Sequence, residues 1–191
     1  MNEPGASIVH HPAETELFAD TLTCDVALPA SFETGSAATH PNAAEMMLRS
    51  IALVEDSRGD DDGERNESSL QAQRLEARMD LVLVLLGRLL RKSNDALPLR
   101  PLRWSRRGLR MELGQRTGNT PGSAGIVHLQ PADWLPDHIE LPVQVLAEAA
   151  SGNGGHYLWL RLNNPGTALE MALERHLFRL HRRQIANSRR A

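Results

Sequence analysis

The chain has 191 residues, which is enough for one full domain with an extension or for two small domains. Hydrophobic residues make up 41% of it and aromatic residues only 4%, so we expect an aliphatic core. Cys24 is the single cysteine, which excludes a disulfide framework and a thiolate zinc site. The N-terminus lacks the pattern of a signal peptide, and the longest apolar run, Leu81–Leu86, is far shorter than the ~18 residues of a membrane span. These features predict a cytoplasmic protein with no membrane span.

The net charge of −3 conceals a strong division along the chain. Residues 1–67 carry 14 acidic and 3 basic side chains, whereas residues 68–191 carry 10 acidic and 18 basic ones. Such a division favours docking of the acidic part on the basic part, or its use in keeping the protein soluble. We therefore expect salt bridges between the two parts.

Residues 1–40 show weak periodicity and are predicted to be an N-terminal segment that is partly ordered at best. Thr21–Leu28 is the candidate for a short strand within it. Residues 41–66 are predicted to be a short helix, over about residues 42–55, followed by an acidic linker. The apolar residues that share one face of this helix are Met47, Leu48, Ile51 and Val54.

The most regular pattern lies in residues 67–93, which are predicted to form one long helix. Apolar side chains recur there at alternating spacings of three and four, a period of 3.5 residues that is typical of a coiled-coil seam. The predicted oligomerisation residues are Ala72, Leu75, Met79, Val82, Leu83, Leu86, Leu89 and Leu90. Since Leu83 and Leu90 widen the apolar face beyond that of a two-stranded coil, we expect self-association, with a tetramer favoured over a dimer. The alternative is a long helix that packs against its own domain.

In residues 95–187 the apolar residues first recur at every second position, as in strands, and then at the spacing typical of a helix. Leu109–Leu113, Ile139–Val145 and Leu158–Leu162 alternate apolar and polar residues, and Gly125–Leu129 is a short apolar run. Short antiparallel strands at this spacing predict a small barrel, and the amphipathic segment that follows predicts a closing helix. The predicted fold class is therefore α+β, mainly β: a small antiparallel barrel with a C-terminal helix, preceded by a long heptad-repeat helix.

Within this region the segment RWSRRGLRMEL, Arg103–Leu113, has a recognisable pattern. Its Ser105-Arg-Arg-Gly108, followed by alternating apolar residues, resembles the second signature of PilZ domains, the bacterial receptors of cyclic-di-GMP. The downstream strands and the segment HLFRLHRRQI resemble the C-terminal half of that family, and the heptad segment resembles the helix that one subgroup carries before its barrel. The resemblance covers about residues 95–187. It implies a divergent PilZ domain protein in cyclic-di-GMP-linked control of motility, surface attachment or virulence.

The resemblance also implies a ligand site, from which this sequence departs twice. In the family an Asp or Asn two residues before the serine accepts hydrogen bonds from guanine, but Arg103 stands there, and a guanidinium has no acceptor. The upstream Arg-x-x-x-Arg loop has no counterpart, because the nearest arginines, Arg88 and Arg91, belong to the hydrophobic helix. We therefore expect the usual nucleotide site to be degenerate and no cofactor to be needed. A rearranged cyclic-di-GMP site, the alternative, would use Arg103, Ser105, Arg106, Arg107 and Gly108.

Other classes of function have less support from the residues. The predicted arginine-rich strand has only Trp104 as a stacking partner and no adjoining recognition helix, so nucleic-acid binding is a second alternative. The eight histidines show no zinc-binding spacing, and Ser105 lacks the partners of a catalytic nucleophile, so neither a metal site nor an enzyme is predicted. The predicted function is that of a regulatory or adaptor protein. Its predicted partners are further copies of itself and other signalling or pilus-related proteins.

Overall fold

The computed structural model describes residues 11–35, 42–57, 97–135 and 137–189, together with Leu75, Met79 and Leu86. Three helices and six strands lie in the four described ranges. In chain order they are α1 (Pro12–Phe18), β1 (Thr23–Thr34), α2 (Ala43–Ser57), β2 (Leu99–Ser105), β3 (Gly108–Leu113), β4 (Ala124–Leu129), β5 (Ile139–Ala150), β6 (His156–Leu162) and α3 (Gly166–Ser188).

The strands in the described residues close into an antiparallel barrel in the order β1-β2-β3-β6-β5-β4. Closure depends on two strands of twelve residues that change partner along their length. β1 pairs with β2 through Thr23–Pro29 and then with β4 through Ala30–Thr34, while β5 pairs first with β4 and then with β6. A strand that bends from one partner to the next leaves no open sheet edge in the barrel. The closed barrel with its C-terminal helix confirms the predicted fold class.

β1 corrects the predicted start of the barrel at residue 95. The sequence predicts only a partly ordered segment over residues 1–40, with a candidate strand at Thr21–Leu28, whereas Thr23–Thr34 is a full barrel strand. Only two residues of β1 are buried, Cys24 and Ala30, so its apolar period is faint. Its backbone is held by partners far along the chain, and a local pattern does not reveal such pairing.

The core lies inside the barrel and is closed by two helices. The inward side chains of β2 to β6 are almost all aliphatic, as the composition predicts, with Trp104 the large aromatic exception. α3 adds Leu169, Leu173 and Leu177 to this core, and α2 adds Leu48 and Ile51. α2 also packs along α3, and both helices contact the barrel, α2 at β5 and α3 at β1 and β2.

An ion-pair network fastens α2 to α3. Glu55 of α2, whose side chain is only 5% exposed, forms ion pairs with Arg179, 3.1 Å from its Nε, and with Arg183, 2.8 Å from its Nη2. His176 lies beside this network, with its ring centroid 5.6 Å from that of Trp104. Burial lowers the pKa of His176 to about 4, and the nearby Glu55 carboxylate opposes that shift only in part. The imidazole is therefore neutral inside the core at physiological pH.

Three positions of the predicted heptad helix belong to the described residues. Leu75, Met79 and Leu86 have helical backbone, and 61%, 59% and 49% of their surfaces are exposed. A helix packed along its seam against its own domain would bury these positions. The other predicted oligomerisation residues, Ala72, Val82, Leu83, Leu89 and Leu90, lie outside the described residues, as does most of the predicted acidic linker. No helix in the described part of the chain is long and apolar enough to cross a bilayer.

Candidate functional site: the arginine face beneath α1

The signature segment forms the tight hairpin between β2 and β3. Ser105 and Gly108 pair across the two strands, and the two arginines between them make the turn. A Cβ on Gly108 would lie 2.1 Å from the backbone oxygen of Leu160 and 2.9 Å from a methyl carbon of Leu17. Glycine at this position therefore allows β6 to approach β3 and α1 to approach the hairpin.

Ser105 is occupied by contacts within the protein. Its side chain is fully buried, and its Oγ donates to the backbone oxygen of Leu17 in α1 at 2.7 Å, the nearer of two carbonyl acceptors. The same oxygen accepts the backbone N–H of Arg107 at 3.1 Å. Because a hydroxyl has a single proton to donate, Ser105 joins the hairpin to α1 and offers no donor to a ligand in this conformation.

α1 is a short amphipathic helix that lies on the outside of the barrel. It begins at Pro12, which suits the first helical position, and the His11 ring accepts the backbone N–H of Ala13 at 3.2 Å. The His11 ring also stacks on Trp159 at 4.5 Å between centroids. The apolar face of α1 packs with the outer side of β5 and β6 in a second cluster, which comprises Ala13, Leu17, Phe18, Ala147 and Trp159. α1 therefore covers a wall of the barrel whose side chains would otherwise face solvent.

Glu14 is the centre of the contact between α1 and the barrel. Its side chain is 10% exposed, and its Oε1 pairs with Arg110 Nη1 and with Arg103 Nη1, the latter at 3.4 Å. Its Oε2 accepts the indole N–H of Trp159 at 2.8 Å. Arg103 also lies over the ring of Phe18 at 5.1 Å. One buried carboxylate thus offsets the charge of two arginines on β2 and β3.

The hairpin arginine Arg107 binds the C-terminal end of α1. Its Nη1 donates to the backbone oxygens of Glu16 and Ala19 at 3.2 and 3.0 Å. A cation suits this place, because the last carbonyls of a helix lack partners within the helix and its C-terminal end carries a partial negative charge. Arg161 of β6 pairs with the Glu16 carboxylate at 3.0 Å on the exposed side. These contacts confirm the predicted salt bridges between the acidic N-terminal part and the basic C-terminal part.

The residues predicted for a rearranged nucleotide site are close in space, but α1 engages most of them. Arg103, Ser105 and Arg107 contact α1 directly, and Gly108 is buried beneath it. Arg106 lies half-buried on the turn.

A groove of ≈ 290 Å³ adjoins the arginine face, between β1, β2, β3 and β6. Arg110 lies over the Tyr157 ring there, with 4.3 Å between the guanidinium carbon and the ring centroid. Asp25 and Glu112 also line the groove. Its volume is at the small end of the ~300–1,000 Å³ typical of ligand pockets, and its two carboxylates balance the charge of Arg103 and Arg110, which also line it.

Sequence reasoning missed the residues that α1 contributes. Glu14 and Glu16 lie in a segment predicted to be only partly ordered, and Trp159 lies in a predicted strand as one of the residues that alternate with leucines. A signal was present in PAETELF, because a proline at the first position and the apolar Ala13 and Leu17, four apart, are typical of a short amphipathic helix.

The comparisons with known proteins agree with the barrel fold and with the hairpin signature described above. Residues 48–190 match the family described as atypical PilZ domain, cyclic di-GMP receptor. The chain therefore belongs to the atypical PilZ domain family. Family membership confirms the predicted resemblance, and the family is one of receptors.

Two solved structures resemble this chain to different degrees. A pathogenic protein from Xanthomonas campestris, a tetrameric PilZ domain self-assembled via an unusual helical bundle, is 49% identical, with a TM-score of 0.78 over 91% of this chain and 95% of that one. The PilZ domain of YcgR from Escherichia coli, solved with c-di-GMP, is 16% identical, with a TM-score of 0.40 over 49% of this chain and 79% of that one. No curated protein matches the chain.

Proposed function

We propose that this protein is a non-enzymatic adaptor of the bacterial cytoplasm, with a degenerate nucleotide site and a self-assembled active form. The observation that carries the proposal is the buried Glu14 carboxylate, which already binds Arg103, Arg110 and Trp159. A phosphate or a guanine edge would need the same guanidinium forks.

Binding of cyclic-di-GMP at this face would require α1 to leave. Its departure would break the ion pairs of Glu14, release the Ser105 hydroxyl, and expose Leu17, Phe18 and the indole of Trp159. Each of these changes opposes binding, because buried apolar area and buried ion pairs are lost together. The ligand would also need an acceptor for guanine N–H groups, and Arg103 supplies none.

Calorimetric titration of the full chain with cyclic-di-GMP tests this part of the proposal. We expect no saturable heat at roughly 50 μM protein, a concentration that detects the micromolar affinities of ordinary receptors. The alternative, a receptor with a rearranged site, predicts micromolar binding that disappears in Arg106→Ala with Arg107→Ala. Arg182→Ala, which removes an exposed arginine on α3, is the matched control. Binding by the wild type and by this control that the double variant lacks would establish the receptor instead.

Self-assembly is proposed to use the heptad seam. Leu75, Met79 and Leu86 occupy seam positions and remain largely exposed in the single chain. Burial of an apolar side chain of this size contributes about 1.5–3 kcal/mol, so several such positions per chain favour a helical bundle between copies. The similar Xanthomonas campestris protein is described as a tetramer held by a helical bundle, which supports a tetramer here.

Light scattering after size exclusion tests the assembly. Wild type is expected at four times the chain mass of 21.1 kDa, and Met79→Glu with Leu86→Glu is expected as a monomer with an intact barrel. Leu99→Glu is the matched control, because Leu99 is also an exposed apolar residue (67%) but lies on β2. A wild type that is monomeric at tens of micromolar, or a double variant that stays oligomeric, contradicts the assignment of the seam.

We further propose that the protein acts in the control of motility or virulence. The similar protein is described as pathogenic, which favours a virulence-linked pathway with protein partners such as signalling or pilus-related proteins. Deletion of the gene should alter surface motility or infection, and the monomeric double variant should fail to restore it while Leu99→Glu restores it. Full complementation by the monomeric variant would show that assembly is dispensable.

Nucleic-acid binding, the second alternative, predicts retention on heparin and a steep loss of affinity with salt. Arg103, Arg107 and Arg110, three of the arginines that would serve it, are already bound to α1, so we expect elution at low salt.

A further inference from the structure

Three side chains able to bind a metal converge on the barrel wall made by β4 and β5. They are His128 on β4, His138 immediately before β5, and Glu140 on β5, and one ligand atom from each lies within 4.8 Å of the other two. His128 and Glu140 are direct cross-strand partners, and His138 precedes Glu140 by two residues. Because strand side chains alternate between faces, all three project from the same outer face of the barrel. The backbone of paired strands, rather than a mobile loop, positions two of the three ligands.

Each of the two imidazoles has a carboxylate from outside the trio near one of its ring nitrogens. His128 directs Nδ1 toward Glu140, 4.0 Å from its Oε1, while its Nε2 faces Oε2 of Glu33 on β1 at 3.8 Å. His138 directs Nδ1 toward Oδ1 of Asp137 at 3.9 Å, which leaves Nε2 for a ligand. At 3.8 and 3.9 Å the carboxylates of Glu33 and Asp137 lie beyond hydrogen-bond distance of these nitrogens, so they place negative charge beside the rings without bonding to them directly.

The spacing is compatible with a small ion after minor side-chain adjustment. The histidine rings lie 5.1 Å apart between centroids at an angle of 69°, and their side chains are 17% and 30% exposed. Ligands of a tetrahedral zinc ion with bonds of ~2.1 Å lie about 3.4 Å apart. The observed separations of up to 4.8 Å therefore require inward movements of roughly 1 Å, which χ rotations of these partly exposed side chains can supply.

We propose that His128, His138 and Glu140 form a binding site for one Zn²⁺ ion, with Glu33 and Asp137 as outer carboxylates. Two imidazoles and a carboxylate suit zinc and its late first-row neighbours, whereas calcium and magnesium prefer oxygen donors alone. A bound ion would join β4 to β5 and brace the barrel wall away from the arginine face. The 128, 138, 140 spacing matches no zinc motif, and for that reason sequence analysis predicted no metal site.

Calorimetric titration of the metal-stripped full chain with Zn²⁺ tests the proposal. One ion per chain should bind with a Kd of roughly 10 μM or below, and the affinity should fall at least tenfold in His128→Asn with His138→Asn and in Glu140→Gln. His181→Asn on α3, a histidine outside the cluster, is the matched control and should bind as wild type does. Far-UV circular dichroism verifies that each variant retains the barrel, which is expected because all three side chains face outward.

Replacement of Zn²⁺ by Co²⁺ gives an independent measurement, because tetrahedral Co²⁺ absorbs visible light strongly and octahedral Co²⁺ weakly. We expect strong absorption from the wild type and from His181→Asn, and its loss in the double histidine variant. The proposal is overturned by the absence of stoichiometric zinc binding at about 100 μM, by undiminished binding in the double variant, or by an equal loss in His181→Asn. In any of those outcomes the three side chains are polar neighbours on the barrel surface and not a metal site.

Discussion

Replacement of Glu14 by glutamine should detach α1 from the arginine face while the barrel stays folded. Glutamine keeps the size of the side chain and one acceptor oxygen, but it removes the negative charge that faces Arg103 and Arg110. The Glu14 side chain is 10% exposed and that of Arg110 is 17% exposed, so solvent screens this pair poorly. Arg103, with a side chain 34% exposed, contributes less.

The magnitude of the effect follows from these contacts. A hydrogen bond to a charged group contributes ~1.5–3 kcal/mol, and removal of one partner from a fully buried ion pair costs ~3–5 kcal/mol. Because both arginines keep some access to water, we expect a loss of about 2–3 kcal/mol in the docking free energy of α1. At a factor of ten per 1.4 kcal/mol, the detached population should rise roughly 30- to 150-fold. The barrel itself should lose less, since its strand pairing does not involve α1.

Hydrogen exchange of the α1 amides, read together with tryptophan emission, measures this change. Exchange should accelerate in residues 13–19 and stay unchanged in β5 and β6. Emission should shift to the red in proportion to the detached fraction, because α1 covers Trp159, which is 1% exposed. Glu16→Gln is the matched control, because Glu16 and Arg161 are 46% and 49% exposed and such a pair contributes ~0–1 kcal/mol. Equal exchange in the two variants, or cooperative loss of the barrel in Glu14→Gln, would refute this account of the site.

Three further predictions concern the interior. Gly108→Ala should destabilise the fold by about 2–3 kcal/mol, since its Cβ would lie 2.1 Å from a backbone oxygen. Gly114→Ala, with nothing within 4 Å, should change the urea midpoint little, and equal midpoints would contradict the steric argument. Burial lowers the pKa of His176 from 6.5 to about 4, so the unfolded chain takes up this proton at a higher pH than the folded chain. Stability should therefore fall between about pH 6.5 and pH 4, by up to about 3 kcal/mol. Urea unfolding of His176→Leu should lack this part of the pH dependence, and an unchanged pH profile would disprove it. Burial likewise raises the pKa of the Cys24 thiol, which donates to a backbone oxygen of α3 at 3.3 Å. A thiol reagent should react with it slowly in the native protein and rapidly in urea, so rapid native labelling would show that β1 opens.

The strands of the C-terminal half were accessible to sequence reasoning because each has one buried face. Leu109 and Met111 alternate with Arg110 and Glu112, and Leu158 and Leu160 alternate with Trp159, whose side chain packs against α1. The leucines and the methionine fill a barrel whose outer side meets water or another element. The Ser105–Gly108 hairpin identified the family for a similar local reason. Its signature occupies four consecutive residues, and the last of them must be glycine for steric reasons. The seam residues of the heptad segment were likewise predicted from a periodicity within one segment.

β1 and α1 could not be predicted in the same way, because both are stabilised by partners that lie far away along the chain. β1 buries only Cys24 and Ala30, and backbone pairing with β2 and β4 supplies the rest of its stability. α1 has seven residues, too few to be stable alone, and forms because the barrel offers it an apolar surface and arginines.

The sequence by itself determined the elements whose apolar residues repeat at a regular spacing, the family to which the hairpin belongs, and the opposite charges of the two halves. Only the tertiary structure decided which charges meet: Glu14 and Arg103 are 89 positions apart, and barrel closure brings them into contact. The same holds for His128, His138 and Glu140, which the register of β4 against β5 places on one face. The physical reason is that periodicity reports which face of an element is buried, whereas the choice of partner depends on how the whole chain closes.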